Sequence, residues 1–216
     1  MTQERTLTRG RLKTPKAAAL AGIVFSVLLI MIIWLLRTAV PADPRESGAW
    51  LSTKSSTVAL ALDLVPVAGV AFLWFIGVLR DRLGQNEDRF FATVFFGSGL
   101  LFLAMLFVWA AVVGAIIQAF ASHPEELINS LPFHFGRALA FNLVSQGMVK
   151  ISAVFIVSTS TLEIYTRIAP RWIAVLGYIL ALILLFGGGY VDSVLVAFPL
   201  WVLLLSVYIL FDNLRR

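Results

Sequence analysis

Cysteine is absent from this chain of 216 residues, which removes disulfides, thiolate metal sites and cysteine nucleophiles together and leaves the redox compartment open. Histidine occurs only twice, and both copies fall in one connector, "SHPEELINSLPFHFGR" (122–137), rather than in any long apolar run. No G-x-S-x-G, H-E-x-x-H or Walker-type glycine loop is found, so the usual hydrolase and nucleotide-binding chemistries lack their residues. An intramembrane enzyme needs a nucleophile with a base, or a metal, at membrane depth, and no histidine sits there. The expectation is therefore no catalytic residue, no metal site and no cofactor. Charge is scarce as well. Charged residues make up 13% and hydrophobic residues 60%, against about 25% and 45–50% in a soluble domain. Such a surplus cannot be hidden in one soluble core, and the mean hydropathy of +0.92 agrees. Lipid must be the solvent for most of it.

What the chain does have is long apolar runs. About 20 apolar residues cross a bilayer as helix, and six runs qualify: 17–36, 57–79, 90–121, 138–160, 172–190 and 194–211. The third is longer than a crossing requires, so it must tilt or project. The last two share the segment "FGGGYVDS" (186–193), whose glycines suit a tight turn between helices. The first run follows Arg5, Arg9, Arg11, Lys13 and Lys16. A signal peptide has a shorter apolar core, about 7–15 residues, and then a small-residue cleavage site. The stretch "RTAVPADP" offers a poor one, so the run reads as a retained span.

The basic residues set a direction. With the N-terminus in the cytoplasm, that side holds Arg5, Arg9, Arg11, Lys13, Lys16, Arg80, Arg82, Arg89, Arg167, Arg171, Arg215 and Arg216, while the outer side holds Arg37, Arg45, Lys54 and Arg137. That imbalance is the positive-inside pattern for an even number of spans. Trp34, Trp50 and Tyr190 then fall near the outer interface, and Trp74, Tyr165, Trp172 and Tyr208 near the inner one, as aromatic belts do. The expected fold is an all-α integral membrane protein, a bundle of six transmembrane helices with both termini cytoplasmic. A basic cytoplasmic tail (1–16) precedes a single six-helix transmembrane domain (17–216). The expected location is the bacterial cytoplasmic (plasma) membrane. No internal repeat is visible, which counts against an inverted-repeat transporter.

The connectors read as structural. In "LRDRLGQNEDRFF" (79–91), Arg80 and Arg82 suit a helix C-terminus, Gly84 a stop, and Glu87 with Asp88 the start of the next helix. In the 122–137 connector, Ser122 and Glu125 form an S-x-x-E capping box, with Pro132 ending the short interfacial helix that follows. The longer stretch "LDLVPVAGVAFLWFIGVLRDRLGQNEDRFFATVFFGSGLLF" (62–102) resembles a block of uncharacterised bacterial multi-pass membrane proteins. The resemblance implies a membrane family and carries no catalytic motif.

One residue defies the apolar pattern. "LVSQGMVKISAVF" (143–155) places Lys150 inside the fourth run. A lysine at a helix centre costs about 2.5–3.5 kcal/mol, while each Val, Ile, Leu or Phe returns only about 0.3–0.6. Asn142, Ser145 and Gln146 must be carried as well, so this span is expected to depend on its neighbours. At 100° per residue, these four share about half the helix circumference with Ser160, Thr161 and Glu163. That face is expected to look into the bundle or a wet cavity. Asp63, in "VALALDLVPVAG" (58–69), is the acidic residue well inside another span, and Pro66 frees the carbonyl of Leu62 beside it. An Asp63–Lys150 pair is the expectation, the alternative being a Lys150 that snorkels toward the outer interface.

The candidate intramembrane polar site is thus Asp63, Asn142, Ser145, Gln146 and Lys150. Two functions follow. The first is a non-enzymatic scaffold or accessory protein whose polar seam holds its own helices or a partner's. The second is a small transporter or channel for an ion, proton or small polar solute, using Lys150, Gln146, Asn142 and Asp63. The expected partners are the lipid bilayer and a membrane protein or further copies of the chain, with no nucleic acid. Ala18-x-x-x-Gly22 and Ala110-x-x-x-Gly114 favour close helix contact under either function.

Overall fold

The computed structural model describes residues 14–43, 45–83, 89–128, 130–166, 169–187 and 195–215. The tail over 1–13, the connector over 84–88 and most of the glycine segment of 186–193 lie outside them. So do the expected roles of Gly84, Glu87 and Asp88.

Every regular element among the described residues is helical: α1 (Thr14–Ala39), α2 (Trp50–Leu83), α3 (Arg89–Ser122), α4 (Pro124–Ile128), α5 (Leu131–Asn142), a π-helical turn (Leu143–Met148), α6 (Val149–Thr166), α7 (Arg171–Phe186) and α8 (Ala197–Arg215). Four helical stretches are long and apolar enough to cross a membrane: Ala19–Ala39, Trp50–Arg80, Phe90–Ser122 and Leu131–Thr166. The chain is therefore built as a membrane-embedded, multi-pass helical protein. The apolar helices Arg171–Phe186 and Ala197–Asp212 are shorter. Sixteen residues of α7 reach about 24 Å at 1.5 Å per residue, short of the roughly 30 Å hydrocarbon core. At 34 residues, α3 reaches about 51 Å by the same rise, so its excess must tilt or project, as its run length implies.

Two details of the 122–137 connector differ from the sequence expectation. Ser122 caps nothing: it is the last residue of α3, and its hydroxyl donates to the Gln118 carbonyl one turn back. The cap is Ser130, whose Oγ accepts from the Phe133 N–H at 3.3 Å. Pro132 accordingly stands in the first turn of α5 and starts a helix rather than ending one. The reason is local: a proline's missing N–H costs nothing where the helix has no acceptor for it.

We call the end where α1 stops and α2 begins the upper end, and the end where α2 stops and α3 begins the lower end. α1 packs mainly on α2 and α8, α3 on α2 and α6, and α6 on α7. A Cβ at Gly69 in α2 would meet Phe107, and Leu62 lies beside Gly114, so α2 and α3 are antiparallel. Met105 lies against Gly147, and Phe155 beside Gly99, so α3 and α6 are antiparallel too. α2 and α6 therefore run the same way, downward.

The centre is aromatic. Phe25, Phe72, Phe102, Phe155 and Phe198 come from α1, α2, α3, α6 and α8 and meet ring against ring. Phe72 lies 4.4 Å from Phe25, 5.4 Å from Phe102 and Phe155, and 5.9 Å from Phe198. Such pairs add about 0.5–1.5 kcal/mol each beyond their buried area. Close approach elsewhere depends on small residues. A side chain at Gly22 in α1 would run into Ser206 of α8 and Phe75 of α2.

Candidate functional site

Residues 131–166 form one long helical rod, interrupted by the π-helical turn over Leu143–Met148, where the Val149 N–H reaches back five residues to the Val144 carbonyl. Such turns insert one extra residue into a helix and are frequent at functional sites. The tight packing beside it points the same way: a Cβ at Gly147 would sit 2.8 Å from the Met105 sulfur. Glycine here lets α3 press against the turn.

Around this rod the polar residues divide. Asn142, Gln146 and Lys150 are exposed on the outside of the bundle. Lys150 Nζ donates to Gln146 Oε1 at 2.5 Å, one turn up the same helix. Ser145 is half-buried, and its hydroxyl has no partner among the described residues. The opposite face, with Val144, Met148, Val149 and Ser152, turns inward and lines a cavity of about 200 Å³ at the upper end. The lining is apolar apart from Arg37 at the rim and Ser152, and Phe102 and Phe198 lie at its lower side. The Ser152 hydroxyl already donates to the Val149 carbonyl.

For Asn142, Gln146 and Lys150 the expectation of a place inside the bundle is therefore corrected. The expected cis pair is corrected with it. Asp63 is also exposed on the outside, on α2, and no ion pair joins it to Lys150, whose hydrogen bond stays on its own helix. The reason is topological. α3 lies between α2 and α6 and packs on both, and each charged residue points away from the core on its own helix.

The lower part of the same expected polar face behaves differently. Ser160 and Glu163 are buried. Neither Glu163 oxygen nor Ser160 Oγ has a hydrogen-bond partner among the described residues, and the same holds for Trp201 Nε1 and Ser206 Oγ on α8. Ser160 and Trp201 converge on α7, where a Cβ at Gly177 would collide with the serine hydroxyl and lie 3.0 Å from the indole nitrogen. Thr161 escapes this set: its hydroxyl bonds the Val157 carbonyl and the Tyr178 hydroxyl, both at 2.8 Å. Lys150 and Glu163 stand thirteen positions apart, which sets them about 140° apart around α6 at 100° per residue. A polar arc that wide has two edges, and the bundle wall buries one of them.

Arg137 is the residue whose role the sequence reading missed. Its Nη2 donates to the carbonyls of Pro41 and Asp43 at 3.1 and 3.2 Å, and its guanidinium lies 5.6 Å from the centre of the buried Trp50 ring. It clamps the α1–α2 loop onto α5. In the sequence it registers as one outer positive charge, because its two backbone acceptors lie more than ninety residues away. His123 and His134 are both exposed, and no cluster of three or more metal-ligating side chains forms among the described residues.

No family model, no curated protein and no solved structure matches this chain.

Proposed function

We propose that the protein is a six-span, non-enzymatic scaffold or accessory protein of the bacterial cytoplasmic membrane, with both termini in the cytoplasm. In this reading α7 and α8 are the fifth and sixth spans, the upper end is the outer side, and the basic residues gather below. The resemblance over residues 62–102 supports the bacterial membrane setting. The observation that carries the reading is the outward position of Asn142, Gln146 and Lys150. Ionisable residues within a span are costly toward lipid and are nearly always covered by protein or water. Here the inner cavity is lined by the other side of the rod, so protein from outside the chain is the natural cover. A transporter or channel for an ion, proton or small polar solute is the weaker reading, because none of Lys150, Gln146, Asn142 and Asp63 lines the upper cavity.

A chain without cysteine makes the test clean. Lys150→Cys in intact membranes should resist a water-soluble, impermeant thiol reagent from either side, and it should become reactive once a denaturing detergent strips the cover. Rapid labelling in the membrane would mean that water reaches position 150, and the transport reading would replace this one. Cysteines at Ser47 and Ser193 should be labelled from outside without lysis; labelling only after lysis would overturn the threading.

A further inference from the structure

We infer that Lys150 of one copy pairs with Asp63 of a second copy of the chain, so that the outer face of α6 docks on the outer face of α2. The inference rests on the scaffold reading and names its partner. Asp63 and Lys150 are opposite charges well inside membrane-length helices, both exposed on the outside of the bundle and neither in an ion pair among the described residues. A second copy supplies to each the charge that it lacks.

The depths agree. The Phe72 and Phe155 rings lie 5.4 Å apart and give α2 and α6 a common level. Asp63 is nine residues above Phe72, and Lys150 is five above Phe155. At 1.5 Å per residue these rises are about 13 Å and about 7.5 Å, so the two differ by about 6 Å in height. Copies related by an axis along the membrane normal keep those heights. Side chains on both helices tilt toward their N-termini, hence upward. The four-carbon stem of Lys150 can rise toward the shorter Asp63, with the Gln146 carbonyl oxygen steering the ammonium along the way.

The surface between them suits the contact. α3 separates α2 from α6, and its outer face carries Ala104, Phe107, Val108, Ala111 and Ala115, all exposed. The three alanines leave room beside the bulkier Phe107 and Val108 for another helix. Asn142 and Gln146 add hydrogen-bonding groups on the α6 side, which stay costly against lipid and become useful against protein.

The test uses two differently tagged full-length chains, co-expressed and co-purified in mild detergent or nanodiscs. Wild-type copies should co-purify. Lys150→Asp copies alone and Asp63→Lys copies alone should each lose most of that association, because like charges then face each other across the contact. A Lys150→Asp copy mixed with an Asp63→Lys copy should recover it, since opposite charges meet again at every contact. A pair formed within one chain leaves the mixture as poor as either variant alone, and that result would overturn the inference. Thermal unfolding of each variant checks that the fold survives. Should either reversal fail to fold, Asp63→Asn and Lys150→Gln provide the neutral test, each weakening association about tenfold; unchanged association in both would also overturn it. Wild-type copies that do not co-purify, combined with a Lys150→Cys that stays unlabelled, would sink the pairing and leave the scaffold reading intact.

Discussion

One helical rod carries two polar sets that the bundle treats in opposite ways. At the upper end Asn142, Gln146 and Lys150 look outward, and at the lower end Ser160 and Glu163 are buried. The outward set keeps one hydrogen bond of its own, from Lys150 to Gln146. The buried set has none at Ser160 or Glu163 among the described residues. An exposed polar group can wait for a partner, whereas an enclosed one must be satisfied by what is already there or bear the desolvation cost. On the proposed reading the upper set is where a partner associates, and the lower set is a local weakness in the fold.

The largest expected effect comes from the aromatic centre that stands between the two sets. Phe72→Ala should lower stability in detergent by about 3–5 kcal/mol, as for other large-to-small core changes. It should also let an impermeant thiol reagent reach a cysteine at position 160 from the upper side. A loss under about 1 kcal/mol with no labelling would mean that the phenylalanines do not seal the bundle.

The next change should raise stability. Glu163→Leu removes a buried carboxyl with no hydrogen-bond partner among the described residues, a relief of about 1–3 kcal/mol for an unsatisfied buried group. A marked fall in melting temperature would reveal a partner for Glu163 and erase the contrast between the two ends.

Gly177→Ala works in the opposite direction at the same place. Its new Cβ collides with Ser160 Oγ, so overpacking should destabilise by about 1–3 kcal/mol. Adding Ser160→Ala should return most of that loss, and strictly additive losses would show that the two helices are further apart than described.

The smallest effect belongs to the outward set. Lys150→Met, measured on dispersed single copies in detergent, should change stability by no more than about 0.5 kcal/mol, as exposed substitutions do. A drop of several kcal/mol would mean that Lys150 holds its own bundle together after all.

Much of the helical architecture is legible in the sequence, because apolar runs of membrane length leave the backbone few alternatives. The 57–79 and 90–121 runs lie within α2 and α3, and those helices extend past them at both ends, because backbone hydrogen bonding continues into polar turns that water or head groups can solvate. The fourth run was harder. Its boundaries of 138–160 fall inside a helical rod of Leu131–Thr166, because the chain begins this helix earlier, at the Ser130 cap with Pro132 in its first turn. The candidate site residues were legible as chemical oddities. Their surroundings were not, since Asp63 and Lys150 sit eighty-seven positions apart and only the placement of α3 decides whether they can meet.

The sequence by itself determined that this chain is helical and membrane-embedded, because composition and run length decide which solvent each segment can tolerate. It also determined which residues share a side of α6, because helical periodicity is a local property of the backbone. Only the tertiary structure decided which edge of that side is covered. It put five phenylalanines from five helices at one point, tied Arg137 to the α1–α2 loop, buried Glu163 and left Lys150 outside. Those outcomes depend on which helix lies beside which, and neighbours in a bundle are chosen by packing between segments far apart in the chain, a contest that no single segment's pattern records.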